Sequence, residues 1–445
     1  MKEMTSRQTN AANPAIRETH DTESGAIPDR RGALTTIGLG LITGAADDDC
    51  SAIGTYATVG AKLGTSFLWT APVTLPMMFA VVYLSGKLGQ VTGLGLFAVI
   101  RQHYARWVFY PALVGVLIGN TFEAGADIGA MSAATNIFVP IPFPWIVVGF
   151  ASAILALQIW GSYRLIRNIF RWLALTLLAY LGAAFLAKPD LFLVLKGTFV
   201  PSVKFDKESL SLLVAIIGTT LSAYLYTWQS NQEVEEKIAR GYTHESQRWG
   251  TTERKLRHSR RDIFFGMFFS NLVMYFIILS TAATLHKAGK TDIATAVDAA
   301  QALRPLAGDA AGLLFALGLI AVGFLAVPVM TGGAAYDLAQ SAGWTSTLNA
   351  KVGKAKGFYG AIAVFTILAM SINFLGLNPM KVLVWSGIVQ GFSTPPLMLL
   401  IMLMTNNRAI MGTRVNSRSM NLLGWVTLTA ISAASIGLIA TSLMS

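Results

Sequence analysis

Cysteine and charged residues are both scarce in this chain, and each shortage excludes a class of protein. Cys50 is the one cysteine among 445 residues, so no intramolecular disulfide framework can hold the fold together. Charged residues make up 13% of the chain and hydrophobic residues 53%, with a positive mean hydropathy. Ordinary soluble domains do not have this composition, which is typical of polytopic membrane proteins. No Gly-x-x-x-x-Gly-Lys phosphate loop occurs, which argues against direct ATP coupling.

Apolar runs long enough to cross a bilayer recur along the chain. We predict eleven transmembrane spans, at about 34–63, 67–86, 107–136, 143–161, 167–187, 209–237, 262–286, 309–338, 358–376, 379–404 and 420–443. The first 32 residues are polar and lack an apolar core followed by a cleavage site. We therefore expect residues 1–32 to form a disordered cytoplasmic tail and not a signal peptide.

The formal net charge of +11 is explained by the distribution of Lys and Arg among the loops. With the N-terminus inside the cell, 25 of the 34 Lys and Arg residues lie on the cytoplasmic side. This fits the positive-inside rule, so the basic composition indicates membrane orientation and contact with lipids, with no nucleic-acid partner. An odd number of spans then places the C-terminus outside. We expect a multi-pass protein of the inner cell membrane.

Three consecutive acids, Asp47, Asp48 and Asp49, interrupt the first span. An ionised carboxylate at the centre of a membrane helix costs about 2.5–3.5 kcal/mol, so three in regular lipid-facing helix would cost about 8–10 kcal/mol. Successive helical side chains also fan out by about 100° each, so the three cannot share one protected face. Irregular backbone at membrane depth is tolerated where it is buried in protein or lines a wet cavity. We predict that the helix breaks here and that the break binds a cation.

The sixth span carries a weaker signal for a matching break. Transporters built from inverted repeats place a partner break in the corresponding span of the second half. Residues 218–225 set small and hydroxyl side chains at mid-membrane, and polar residues 229–232 follow. Because Gly, Ser and Thr are also common at contacts between membrane helices, the spacing alone leaves both interpretations open.

Several longer motifs resemble those of the NRAMP divalent metal transporters, and more closely their NRAMP-related branch, which includes magnesium transporters. They are GLITGAADDDCS at 40–51, GTT and WQS within 218–230, GADIGAM at 125–131, and NPM with WSG within 378–387. The likeness covers about residues 32–404. It implies an all-α polytopic membrane protein with a LeuT-like fold and discontinuous first and sixth helices. Two inverted five-helix repeats would occupy 33–190 and 205–404, followed by a loop and an eleventh span at 405–445.

The resemblance also implies a metal site between the two breaks. The metal-binding aspartate of the family falls on Asp49, with Asp48 as a neighbouring acid, and the asparagine that normally follows is Ala52 here. The Met-Pro-His of transition-metal members corresponds to Ser222-Ala223-Tyr224. Losing a thioether removes a preference for soft ions, and Mg²⁺ prefers oxygen ligands and retained water. We expect import of Mg²⁺ and/or Mn²⁺ by alternating access, with Asp49, Ser222 and the backbone at Ala223 as ligands.

Further candidate ligands lie close to this pattern. Glu123 and Asp127 are four residues apart, on one face of span three, and an intramembrane acid is functional by default. Gln390 in span ten either reaches the metal or bonds a neighbouring backbone. Cys50 replaces the family's usual proline; it is either a soft ligand or a small side chain facing a neighbouring helix. Asp337, late in span eight, is predicted to be a helix-end group near the cytoplasmic exit.

Three alternatives remain. A proton-coupled Mn²⁺/Fe²⁺ symporter of this family would use a histidine in span six and a basic residue in span nine. Tyr224 stands at the first position, and predicted span nine has no His, Lys or Arg, so a histidine relay is not expected. Either coupling runs through carboxylates such as Glu123 and Asp127, or the ion enters uncoupled, driven by the membrane potential. In a Na⁺-coupled amino-acid transporter of the same fold, the acids would repel the substrate carboxylate. An intramembrane aspartyl protease would need a Gly-x-Gly-Asp motif, which is absent; no enzymatic activity or cofactor is expected.

Overall fold

Residues 39–160 and 178–444 are described by the computed structural model, and most of them are helical. The helices used below are α1 (Leu39–Asp47), α2 (Cys50–Leu63), α3 (Thr70–Thr92), α4 (Leu96–His103), α5 (Arg106–Asn136), α6 (Phe143–Trp160), α7 (Leu178–Leu186), α8 (Leu191–Phe199), α9 (Lys207–Thr220), α10 (Ala223–Ala239), α11 (Glu253–Thr281), α12 (Ala311–Ala342), α13 (Lys356–Ile372), α14 (Pro379–Asn406) and α15 (Arg418–Met444). The predicted tail, 1–32, lies outside the described residues.

Eight helical segments of the described ranges are long and apolar enough to cross a membrane. They are Thr70–Thr92, Arg106–Asn136, Phe143–Trp160, Lys207–Ala239, Glu253–His286, Ala296–Ala342, Pro379–Asn406 and Arg418–Leu443. The predicted ninth span corresponds to the shorter α13, and the first is divided between α1 and α2. The predicted fifth span, 167–187, falls partly outside the described residues, and α7 forms its described end.

Two spans are discontinuous, which confirms the predicted breaks. The first break comprises residues 48–49, between α1 and α2, and the second comprises residues 221–222, between α9 and α10. Asp49 is the N-cap of α2, and its carboxylate accepts the N–H of Ala52 at 2.7 Å. Such a cap satisfies one of the backbone donors that a new helix leaves unpaired, so the acid itself stabilises the restart of the helix.

Glycines fix the half-helix before each break against a neighbouring helix. A Cβ atom on Gly44 of α1 would overlap the carbonyl oxygen of Gly266 on α11. In the same way, a Cβ atom on Gly218 of α9 would overlap the carbonyl oxygen of Gly387 on α14. At both positions the backbones of the two helices are in direct contact, which leaves no room for a side chain. Each break is therefore held between packed helices, away from lipid.

The loops rich in Lys and Arg meet at one end of the helix bundle, which we call the basic end. It contains residues 87–107, 237–261, 340–357 and 408–418. Lys87 donates to the carbonyl oxygen of Val415 at 3.1 Å, and Arg101 donates to that of Gln340 at 2.9 Å. At the opposite end, Lys62 pairs with Glu208. These four segments, all predicted to be cytoplasmic, are thus neighbours in space, and the predicted loop after span four lies outside the described residues.

Candidate functional site

Glu123 of α5 connects the two helix breaks. Its Oε1 atom accepts the hydroxyl of Ser51, at the start of α2, at 3.0 Å and that of Ser222, in the second break, at 3.4 Å. Its Oε2 atom accepts the side-chain amide of Gln390 on α14 at 2.6 Å. All four side chains are fully buried. One carboxylate therefore ties α2, the second break and α14 to α5.

Asp127 lies one turn along α5 from Glu123 and meets the same end of α2. Its Oδ1 atom accepts the backbone N–H of Ser51 at 3.1 Å. Its Oδ2 atom is buried and has no hydrogen-bond partner among the described residues. The N-terminus of a helix carries a partial positive charge, so α2 attracts this carboxylate. One oxygen of Asp127 is left with its full acceptor capacity.

Asp49 lies in the first break and contacts the helix that follows the second break. Besides capping α2 through Oδ1, it accepts the hydroxyl of Tyr224 on α10 through Oδ2 at 3.0 Å, and the same hydroxyl lies 2.8 Å from the carbonyl oxygen of Ala46. An ionised carboxylate has about four lone-pair sites, so both oxygens of Asp49 can accept further bonds. Asp49, Glu123 and Asp127 together are called the central acid group below.

The second break supplies neutral groups. The Ser222 hydroxyl lies 2.9 Å from the carbonyl oxygen of Gly218 and 3.0 Å from that of Thr219. The backbone of Ala223 offers its N–H to Oε1 of Gln390 at 3.4 Å. Gln390 therefore bridges α5 and α10 with both ends of its amide. The contact with Ala223 agrees with one of its two predicted roles, and ligation of the metal stays a prediction.

Asp47 and Asp48 are held by a different helix from the central acid group. The hydroxyl of Ser270 on α11 lies 2.5 Å from Oδ2 of Asp47 and 3.2 Å from Oδ1 of Asp48. The other oxygen of each acid is buried without a partner in the described part of the chain. We call Asp47 and Asp48 the Ser270 pair. The predicted ligand Asp48 thus bonds to α11, while Glu123 and Asp127 stand on α5.

Cys50 contacts a helix outside this constellation. Its thiol donates to the carbonyl oxygen of Leu319 on α12 at 3.3 Å. Within residues 39–160 and 178–444, no three His, Cys, Asp or Glu side chains form a group that could hold a metal ion by themselves. A cation held here would therefore also need hydroxyl, amide, backbone or water oxygens as ligands.

Two polar residues of the site, Ser51 and Asn120, were not predicted from the sequence. Ser51 contacts Glu123 and Asp127 and also lies 3.1 Å from the hydroxyl of Thr219. Asn120, one turn before Glu123, accepts the amide of Gln390 at 3.4 Å. The sequence signal for Ser51 was its position close after the acids, in the first turn of the helix that follows the break. Asn120 was detectable by its spacing from Glu123 along one helical face.

The prediction for Asp337 is wrong in one respect. Helix α12 continues to Ala342, and Asp337 is fully buried within it. It is therefore an interior acid and not a helix-end group, because the close packing of α10 against α12 covers this turn.

Comparisons with known proteins agree with this architecture. The family model Nramp, natural resistance-associated macrophage protein-like, matches residues 40–441. The divalent metal cation transporter MntH of Deinococcus radiodurans is 28% identical over 404 residues, which cover 89% of this chain and 87% of that protein.

Solved transporters share the fold. A crystal structure of the Eremococcus coleocola manganese transporter with an aromatic bis-isothiourea substituted compound has a TM-score of 0.69 at 16% identity, covering 94% of this chain and 89% of that one. Mhp1, a nucleobase-cation-symport-1 family transporter, has a TM-score of 0.59 at 14% identity, covering 91% and 90%. At these identities the likeness shows the fold alone. The expected all-helical polytopic architecture of the LeuT-like class is confirmed at this level.

Proposed function

The chain belongs to the Nramp family, and on this premise we propose that it is a secondary transporter that imports Mg²⁺ and Mn²⁺ by alternating access. Membership of a transporter family also confirms that the chain is not an enzyme. The observation that carries the proposal is the bridge made by Glu123, a buried carboxylate bonded to hydroxyl groups at both helix breaks. An acid in this position costs free energy that the binding of a cation offsets.

The oxygen chemistry of the site supports a hard divalent ion. Asp49 and the hydroxyl of Ser222 lie at the two breaks, where α1 and α9 end. Helix C-termini carry partial negative charge, and their terminal carbonyl oxygens are the groups that unwound spans offer to cations. Mg²⁺ is usually bound through one or two carboxylates and keeps several waters, which fits a site with few anionic ligands. Four further polar side chains would then surround these ligands: those of Asp127, Glu123, Asp48 and Gln390.

The two ions are supported by different observations. Ser222 and Ala223 stand where transition-metal members have Met and Pro, which favours Mg²⁺ and a place in the magnesium-transporting branch. The names of the relatives, a divalent metal cation transporter and a manganese transporter, favour Mn²⁺. Both ions are hard enough for an all-oxygen site. We therefore include both in the proposal.

The driving force in this proposal is the membrane potential. Helix α13 carries no basic residue after Lys356 at its start, and Tyr224 takes the place of the family's histidine in span six. A divalent ion that enters at a potential of 100 mV gains about 4.6 kcal/mol, at about 2.3 kcal/mol per charge. We place the basic end in the cytoplasm, following the positive-inside rule. The inverted repeats at 33–190 and 205–404 belong to the same proposal, supported by breaks in corresponding spans.

A proton-coupled symporter is the second candidate, and the free Oδ2 atom of Asp127 favours it. A buried carboxylate with an unpaired oxygen is suited to carry a proton when no cation is present. Coupling would then run through acids and not through a histidine.

Uptake into proteoliposomes tests both candidates. We expect Mg²⁺ and Mn²⁺ to enter wild-type vesicles at rates that rise with an inside-negative potential, without a change in internal pH. Acidification that accompanies ion entry would favour the symporter. Failure of both ions to enter, with protein that remains monodisperse and helical, would reject the proposed function.

A further inference from the structure

Asp337 of α12 is an acid that the central site does not use. It is fully buried, and neither carboxylate oxygen has a hydrogen-bond partner of normal geometry among the described residues. The hydroxyl of Thr227 on α10 is the side-chain group that faces it. Because an isolated charge is expensive inside a protein, this carboxylate needs either a proton or a cation.

Polar groups connect Asp337 to the central acid group. A Cβ atom on Gly333, one turn before Asp337, would lie 3.6 Å from the hydroxyl of Thr227 and 3.9 Å from the side-chain nitrogen of Asn120. Asn120 in turn contacts Gln390, which donates to Glu123. Because Gly333 has no side chain, no side-chain atom of α12 fills the space beside Thr227 and Asn120 at this turn. Polar side chains therefore lead from Glu123 through Gln390 to Asn120, and Asn120 and Thr227 both face Gly333, one turn before Asp337.

A cavity of about 360 Å³ at the basic end is lined by neighbours of Asp337 along α12. Its chain neighbour Tyr336, and Gln340 one turn further along α12, both line this cavity. Asn231 of α10, one turn after Thr227, lines it too and accepts the amide of Gln340 at 2.6 Å. The facing surfaces of α10 and α12 therefore carry polar side chains from the turn of Thr227 and Asp337 to this cavity.

Glu235 shows what an acid with a purely structural role looks like in this cavity. Its oxygens accept hydrogen bonds from Tyr336 at 2.8 Å, Thr347 at 2.8 Å, the backbone of Leu348 at 3.1 Å and Asn349 at 2.5 Å. All of its acceptor capacity is in use, and it ties α10 to the loop after α12. Asp337 has the opposite character, because its lone pairs remain available.

We propose that Asp337 is a second cation-binding residue, which holds the divalent ion as it passes from the central acid group to the cavity at the basic end. The proposal rests on the proposed function. Asp337 offers a hard oxygen ligand, and Thr227 adds a neutral one. An ion that leaves Asp49 thus meets another carboxylate before it reaches water, which divides one large desolvation step into two smaller ones.

The test compares equilibrium binding with transport in the full-length protein. Mn²⁺ binding is measured by calorimetry in detergent, and the initial rate of Mn²⁺ uptake is measured in proteoliposomes with internal pH recorded. In Asp337→Asn we expect the affinity to stay within about twofold and the uptake rate to fall by about tenfold or more. Asp337→Glu should restore much of the rate. Asp309→Asn makes the same chemical change at a fully exposed acid and should alter neither value.

Four results would overturn the proposal. They are normal uptake by Asp337→Asn, loss of equilibrium binding in that variant, absence of recovery in Asp337→Glu, and proton entry with Mn²⁺ that Asp337→Asn abolishes. The second would place the defect in the central site or the fold, and the fourth would make Asp337 a proton carrier. Wild-type vesicles report on the proposed function separately, because their failure to take up ions does not depend on any variant.

Discussion

The two helix breaks face the same buried carboxylate, yet they supply different chemistry. The first contributes the charge of Asp49 and the N-terminal backbone N–H groups of α2, whereas the second contributes the hydroxyl of Ser222 and no charged side chain. Glu123 bonds to both. The difference suggests a division of roles, in which the charged break determines whether a cation binds and the neutral break influences which cation is preferred.

The first break also separates three adjacent acids. Asp49 bonds to Tyr224 of α10, whereas Asp47 and Asp48 bond to Ser270 of α11. The backbone changes direction at the break, so Asp49 meets a different helix from the two acids before it. Adjacent position in the sequence therefore does not make these acids one site.

Removal of charge from the first break should have the largest effect. We expect Asp49→Ala to abolish uptake of Mg²⁺ and Mn²⁺ in proteoliposomes while the protein stays folded and membrane-inserted. The reason is that the first break loses the acid that contacts Tyr224. The substitution also removes a helix cap, worth about 1 kcal/mol.

Asp49→Asn is the matched control, since asparagine caps a helix well but carries no charge. Uptake should be lost in this variant too, with a smaller decrease in thermal stability than in Asp49→Ala. Full transport by Asp49→Asn would mean that the cap, and not the charge, is the function of Asp49.

Substitution of Glu123, the carboxylate that bonds to both breaks, should have the second-largest effect on uptake. Glu123→Gln places an amide among donors that need an acceptor, so we expect uptake to fall by about tenfold or more. Gln390→Ala removes one of those donors and should cost about threefold, measured in the same vesicles. The account would be contradicted if Gln390→Ala were the more damaging change.

Substitution in the neutral break should change the choice of ion more than the rate. We expect Ser222→Met to shift preference toward Mn²⁺ and Cd²⁺ over Mg²⁺ in competition assays, because it adds a soft thioether. Ser222→Ala, which removes the hydroxyl without adding sulfur, separates the two causes. An unchanged ion ranking in Ser222→Met would show that this side chain does not face the ion.

The smallest effect is expected at Cys50, which follows the first break directly. Its thiol bonds to the carbonyl oxygen of Leu319, so Cys50→Ser and Cys50→Ala should both transport within about twofold of the wild type. A large loss of uptake in both Cys50→Ala and Cys50→Ser would show that the sulfur of Cys50 acts at the ion after all.

Much of the fold was predictable because its signals are local. Apolar length reveals spans, and three acids in one span reveal a break, since regular helix cannot protect them all. The partners of those acids were not predictable in this way: Ser270 and Tyr224 are more than 170 residues distant from them along the chain. Asp337 was assigned to a helix end because the sequence does not show how far α12 extends, or that α10 covers it.

The location of bound Mn²⁺ tests the central claim most directly. Anomalous diffraction from crystals of the wild-type protein grown with Mn²⁺ should show a peak between the two breaks, within about 2.0–2.6 Å of a carboxylate oxygen of Asp49. Density at the Ser270 pair alone, with none beside Asp49, would contradict the claim that the two breaks together form the transport site.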